Sequence, residues 1–410
     1  MFEIVSARRA FAGGAIVVAL AACGSEVEVE TTGAGGESSV SSASSGDASV
    51  SSSSAGGSGG SGGLPAPTCA PGEAAIVAAS AGKIGQVAVN HEGTWTKNAY
   101  SMTVPNSHTT YVDAYDHLGV FWIEFESAQS HFASTSDGTS FELHDVHGWF
   151  PQPGSPLVTV GRSLLLGDAG EGSTLAYFDP DALDWYPYPE PAPFDLTSAV
   201  VREAAGTVLG VGIGPQDELC DTEIFWVDGG GWTPPHCRDD VMVFLGVEIP
   251  VAPPRAAALP NGDVVVVYHE NYATIAATRF HDGVWSAPES ITLADQSLEL
   301  AVTATPGGDV IVGLSTGGGI FALRYVPGVG WGEPVPIDPM GNLYSAISAA
   351  PGICGDDALI AYSAHVNDGD IEVRVARVRG GAAEASTIAW FGGYPGDISI
   401  TTRPSLRLSP

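Results

Sequence analysis

The chain has 410 residues, with 47 acidic against 15 basic side chains and a formal charge of −32. A surface this acidic repels phosphate backbones and anionic headgroups, which argues against nucleic acid as a partner and makes cations, calcium among them, the natural counter-charges. The 53 glycines and 29 prolines cut the chain into short segments and leave almost no helical periodicity.

The first 22 residues have the layout of an export signal. Arg8 and Arg9 precede an apolar run over 10–20. That run is about 11 residues, against the roughly 20 needed to cross a bilayer. It ends in Leu20-Ala21-Ala22-Cys23-Gly24, which resembles the bacterial lipobox. The resemblance implies that Cys23 is lipidated, becomes the mature N-terminus and anchors the protein to a membrane. Gly24, where an aspartate would favour retention in the inner membrane, points to the outer membrane or cell surface. Residues 24–63 hold no aromatic side chain and end in a Gly/Ser run. Such a segment cannot form a core and serves as a flexible tether with a reach of roughly 35 Å. The reading is thus a signal over 1–22, a lipidated cysteine and tether over 23–63, and a folded domain over 64–410.

The folded domain reads as short strands rich in Val, Ile, Tyr and Phe, separated by Gly, Pro, Asn and Asp turns. Asn261-Gly262-Asp263 precedes an apolar run at 264–268, and Gly307-Gly308-Asp309 precedes another at 310–312, the same element twice. A second recurring element is a Gly-rich turn followed by an aromatic residue: Trp95, Phe141, Trp232, Trp285 and Trp331, with Trp185 and Trp390 in looser versions. The gaps between these seven marks are 46, 44, 47, 53, 46 and 59 residues. A repeat of that length is one four-stranded blade of a β-propeller. The expected fold is therefore all-β, a propeller of seven blades; six and eight also fit the stretched spacing after Trp331. The tryptophans are expected in the wedges between blades. The first repeat, 74–104, is short of strands, and segments 398–402 and 405–408 are expected to complete it and close the ring.

Four cysteines remain after Cys23, and an even number in an exported chain points to disulfides. Three pairings exist. Cys220–Cys237 closes a short local loop, which leaves Cys69–Cys354 to tie the start of the domain to its last repeat.

Ser134-Thr135-Ser136-Asp137-Gly138-Thr139-Ser140-Phe141 resembles the Asp-box hairpin of sialidase-like propellers, Ser-x-Asp-x-Gly-x-Thr-Trp, although Ser136 stands where the aspartate belongs. The resemblance implies the blade architecture. Sialidase chemistry implies, in addition, three arginines around a substrate carboxylate, the first in an early Phe-Arg-Ile-Pro stretch. No arginine occurs between Pro65 and Gly161, and Arg255 in Pro253-Pro254-Arg255-Ala256 comes too late in the chain. No catalytic residue is assigned, and the reading leans away from an enzyme.

The loops that follow the second strand of each repeat are acidic or polar. They supply the candidate ligand residues Glu126, Asp168, Asp217, Glu270 and His365, and the candidate calcium ligands Asp368 and Asp370, since hard cations take carboxylate oxygens. Three functions follow as expectations. One is a surface-displayed binding or scaffold module for a glycan or a protein, with structural calcium. The second is a glycoside hydrolase with carboxylates at the channel mouth. The third is a structural envelope protein.

Overall fold

The computed structural model describes residues 64–403 apart from 65–67, 82, 104, 114, 125–126, 147–150, 152–156, 163, 169–171, 180, 203–204, 226–230, 248, 368–369 and 393–396. The lipidation residue Cys23, the signal, the tether, Glu126, Asp368 and segment 405–408 lie outside the described residues.

The described residues form seven antiparallel sheets and no α-helix, a seven-bladed β-propeller. Each blade runs outward from an inner strand. Blade 2 (105–145) starts with Pro105–Val112, blade 3 (158–187) with Val158–Thr159 and blade 4 (196–242) with Leu196–Arg202. Blade 5 (255–292) starts with Arg255–Ala258, blade 6 (297–338) with Ser297–Ala304 and blade 7 (347–392) with Ile347–Pro351. Blade 1 takes its inner strand from the far end of the chain: Asp397–Arg403 pairs antiparallel with Ala74–Ala81, in register from Ala74 opposite Arg403 to Ser80 opposite Asp397. The expected closure by segment 398–402 is therefore present. In blades 5 and 6 the outermost row is broken into two pieces, both paired to the third strand.

Burial follows position in the blade. Val264–Asn271, the second strand of blade 5, is buried at six successive residues. Its alternate side chains point to opposite faces. Val265 and Val267 pack with blade 6, whereas Val264, Val266 and Tyr268 pack with blade 4. A strand covered on both faces reads as a continuous apolar run. Thr94–Thr103, the outermost strand of blade 1, is mostly exposed or half-buried.

The core is divided into seven clusters, one in each wedge between neighbouring blades. Six of the seven marker aromatics sit in six different wedges: Trp95, Phe141, Trp185, Trp232, Trp285 and Trp331. The side chain of Trp390 lies outside the described residues. Three indoles donate a hydrogen bond to the preceding blade or the loop leaving it: Trp232 to Glu190 O, Trp285 to Asp221 Oδ1 and Trp331 to Glu289 O.

Two further devices repeat or staple. An aspartate just before the second strand accepts from an arginine Nε on the third: Asp263 from Arg279 at 2.8 Å, Asp309 from Arg324 at 2.7 Å and Asp356 from Arg377 at 2.9 Å. Both expected disulfides are present, Cys220–Cys237 within blade 4 and Cys69–Cys354 between the start of the domain and blade 7. In the hairpin at 134–141, the aspartate one place later than the Asp-box pattern does the capping. Asp137 Oδ1 accepts the amides of Thr139 and Ser140, and Gly138 adopts φ +77°. Those amides hold the Asp137 carboxyl well below the usual carboxylate range.

Candidate ligand-binding channel

The inner strands of successive blades touch around the axis, the last meeting the first. They enclose a channel of about 1310 Å³. Hydrogen bonds between neighbours keep a constant offset, His108 to Ser399 and Thr110 to Thr401, so these strands run parallel. The early residues of the inner strands therefore gather at one end of the channel.

That end is polar. Arg255 opens the inner strand of blade 5, and its Nη1 donates to Thr197 O at 2.9 Å. Glu299 comes from blade 6 and Asp397 from the closing strand of blade 1. Burial lowers the proton affinity of Arg255, while Glu299 and Asp397 raise it. Glu299 is raised above the ordinary glutamate range first by burial and further by Asp397, with Arg255 opposing. No hydrogen bond reaches the carboxylate of Glu299 or Asp397 from the described residues.

His108, 1 % exposed, lies on the same wall. Its Nδ1 is 3.2 Å from Ser399 Oγ, and its Nε2 has no hydrogen-bond partner of ordinary geometry, though the backbone of Asp397 is adjacent. Burial depresses its pKa, so the imidazole is neutral at pH 7. Serines knit the strands at this level: Ser198 Oγ accepts from Ala256 N and Ser348 Oγ from Ile400 N. Tyr344 lies in the loop leading into blade 7, lines the channel and is 64 % exposed. Its loop is set by Asn342, whose side chain accepts the Tyr344 amide and whose own amide donates to Ser345 Oγ.

The opposite end carries the turns between first and second strands. Its charges are largely paired, Arg162 with Asp116 and Arg377 with Asp356. The described channel lining thus holds two arginines, Arg162 and Arg255, at opposite ends. They do not form the arginine triad that sialidase chemistry implies.

The residues singled out from sequence sit elsewhere. Asp217 occupies a left-handed turn position (φ 63°) between two strands of blade 4 and is exposed. Glu270 is exposed and accepts from Ser290 Oγ at 2.9 Å. His365 lies half-buried in the second strand of blade 7, and its amide donates to Met340 O. Asp370 opens the third strand of that blade and is exposed. The backbone of Asp168 pairs with Ser173, and its side chain is outside the described residues. None of Asp217, Glu270, His365 and Asp370 lines the channel. Among the described residues, the two groupings of three potential metal-binding side chains both include a disulfide pair.

Sequence reading passed over His108, Glu299, Asp397 and Tyr344, and met Arg255 only as a misplaced motif. Each is an isolated polar residue near the start of a strand, and the one available signal was a charge in an otherwise apolar inner-strand segment.

No known protein family and no curated protein matches this chain in sequence. Solved structures do match. The periplasmic gluconolactonase PpgL of Pseudomonas aeruginosa superimposes with a TM-score of 0.51 at 11% identity, over 80% of this chain and 98% of that one. A protein of unknown function from Desulfotomaculum acetoxidans gives 0.51 at 10% identity, over 80% and 98%. Both similarities are of fold alone. They extend to the propeller architecture and not to the sialidase family in particular.

Proposed function

We propose that this protein is an exported, lipid-anchored binding module that recognises a glycan at the channel end carrying Tyr344, Arg255, Glu299 and Asp397. One observation carries the reading: the exposed ring of Tyr344 lines the same channel as Arg255 and as two carboxylates, Glu299 and Asp397, that receive no hydrogen bond from the described residues. A sugar ring offers an apolar face for the aromatic and several hydroxyls that both donate and accept. Lipidation at Cys23 and the tether would display the propeller at the outer membrane, and structural calcium at Asp370 and Asp368 remains part of the proposal.

The test is a glycan array probed with the purified protein, with and without chelator. The expected result is binding that Tyr344→Ala and Arg255→Ala each weaken at least tenfold. Binding that survives both variants would place the ligand elsewhere; chelator sensitivity would bring in calcium. Cys23→Ser should abolish labelling with radioactive fatty acid.

A second reading, glycoside hydrolysis, is favoured by one feature: two carboxyls, Glu299 and Asp397, share the polar end of the channel, and burial raises the proton affinity of Glu299. Glu299, its proton affinity raised by burial, would act as the acid and Asp397 as its partner. Release of reducing sugar that Glu299→Gln reduces by more than about 100-fold would establish it; binding without turnover would dismiss it.

A further inference from the structure

We propose that the sugar recognised at this channel end carries a free amine, an amino sugar in its ammonium form. The inference rests on the glycan reading above and narrows it. It follows from an inventory of donors and acceptors. The carboxylates of Glu299 and Asp397 offer four oxygens and receive no hydrogen bond from the described residues. Against them stands Arg255, one of whose five N–H donors is committed to Thr197 O. The neutral imidazole of His108 adds one ring nitrogen without a partner of ordinary geometry, a donor or an acceptor according to its tautomer, and so does not offset the carboxylates. The site therefore has a surplus of acceptors and of negative charge.

The whole channel shows the same bias. Five acidic residues line it, Glu73, Glu299, Asp356, Asp357 and Asp397, against two arginines. At the other end Arg162 and Asp356 already have partners. Glu73 and Asp357 accept the amides of Cys354 and Gly380, so among the described lining residues Glu299 and Asp397 are the carboxylates without a hydrogen bond, and both belong to the polar end.

Three ligand chemistries can be ranked on this basis. An anionic sugar would bring a third negative charge beside two carboxylates that share the single positive charge of Arg255. A neutral sugar could hydrogen-bond the carboxylates and would leave their excess over the charge of Arg255 uncompensated in a partly desolvated channel. An ammonium group brings three donors, no acceptor and the missing charge. The remaining hydroxyls of an amino sugar suit Arg255 and His108, and the exposed ring of Tyr344 provides a face that attracts cations as well as sugar carbons.

The experiment is calorimetric titration of the purified full-length lipoprotein in detergent. The probes are matched β-linked oligomers of glucosamine, N-acetylglucosamine and glucose at pH 6. N-Acetylation removes the charge and keeps the sugar framework. The glucosamine oligomer should bind at least tenfold more tightly than either neutral oligomer. That advantage should fall in Glu299→Gln and in Asp397→Asn. Equal binding of all three, or preference for a neutral one, overturns the inference and leaves the glycan reading standing. No binding of any oligomer, together with a silent glycan array, overturns both. The comparison of ligands on the unaltered protein decides the question even if a variant fails to fold.

Discussion

His269 is fully buried in the wedge between blades 5 and 6, beside the backbone of Ala252 and Ser297. Burial brings its pKa down to about 4. An unfolded histidine titrates near 6.5, so between the two values the unfolded chain binds more protons than the folded one. Stability is then fully present above about pH 6.5 and is lost as pH falls toward 4, by up to about 3 kcal/mol from this residue. Urea unfolding at pH 7 and pH 4.5 should show the loss, and His269→Gln should flatten that dependence. His108 shifts in the same direction and adds to it. A second prediction concerns Glu299. Arg255 opposes the burial that raises this carboxyl; Arg255→Ala should raise its pKa further, read by NMR titration of labelled glutamate. Neither histidine nor Glu299 could be weighted from sequence, because burial is set by residues in other blades. At Asp137 the local pattern came closer: the turn was legible, and the aspartate sits one place later, where it still reaches two amides.

At the scale of the element, the blade was readable because it is local. Strand, turn, strand and aromatic lie within one repeat, and each aromatic solves the same problem of filling a wedge. Trp185 is completely buried and packs edge-on against Tyr111 of blade 2, with ring centroids 5.1 Å apart. Trp185→Ala should cost about 3–5 kcal/mol, and Trp285→Ala, at a half-buried position, less; thermal or urea melts measure both. The acidic loops show where locality gives less. Sequence identifies which turn is acidic, and it does not tell how far along the blade radius that turn lies. Asp217, Glu270 and Asp370 are consequently at mid-blade turns, whereas the channel carboxylates come from inner strands.

For the whole molecule, the ring is held where it must join. Blade 1 combines strands from both ends of the domain. Cys69–Cys354 spans the same seam, with a sequence separation of 285, and Glu73 Oε2 accepts the amide of Cys354 beside it. Arg403 adds hydrogen bonds to Gly72 O at 2.8 Å and Asp116 O at 2.6 Å. Removing the disulfide by Cys69→Ala with Cys354→Ala should cost roughly 2–5 kcal/mol, mainly by releasing the unfolded chain. Truncation before Asp397 should cost more and broaden the unfolding transition, because blades 1 and 7 would then face an open edge.

By itself the sequence determined the blade length, six of the aromatic wedge positions and the closing segment 398–402, and it limited the disulfides to three pairings, because each depends on short-range pattern or on cysteine number. Only the tertiary structure decided what lines the channel. His108, Arg255, Glu299 and Asp397 come from four blades and are separated by up to 289 residues along the chain. They meet because seven inner strands run parallel around one axis, and no local pattern encodes which residues of distant repeats arrive at the same height.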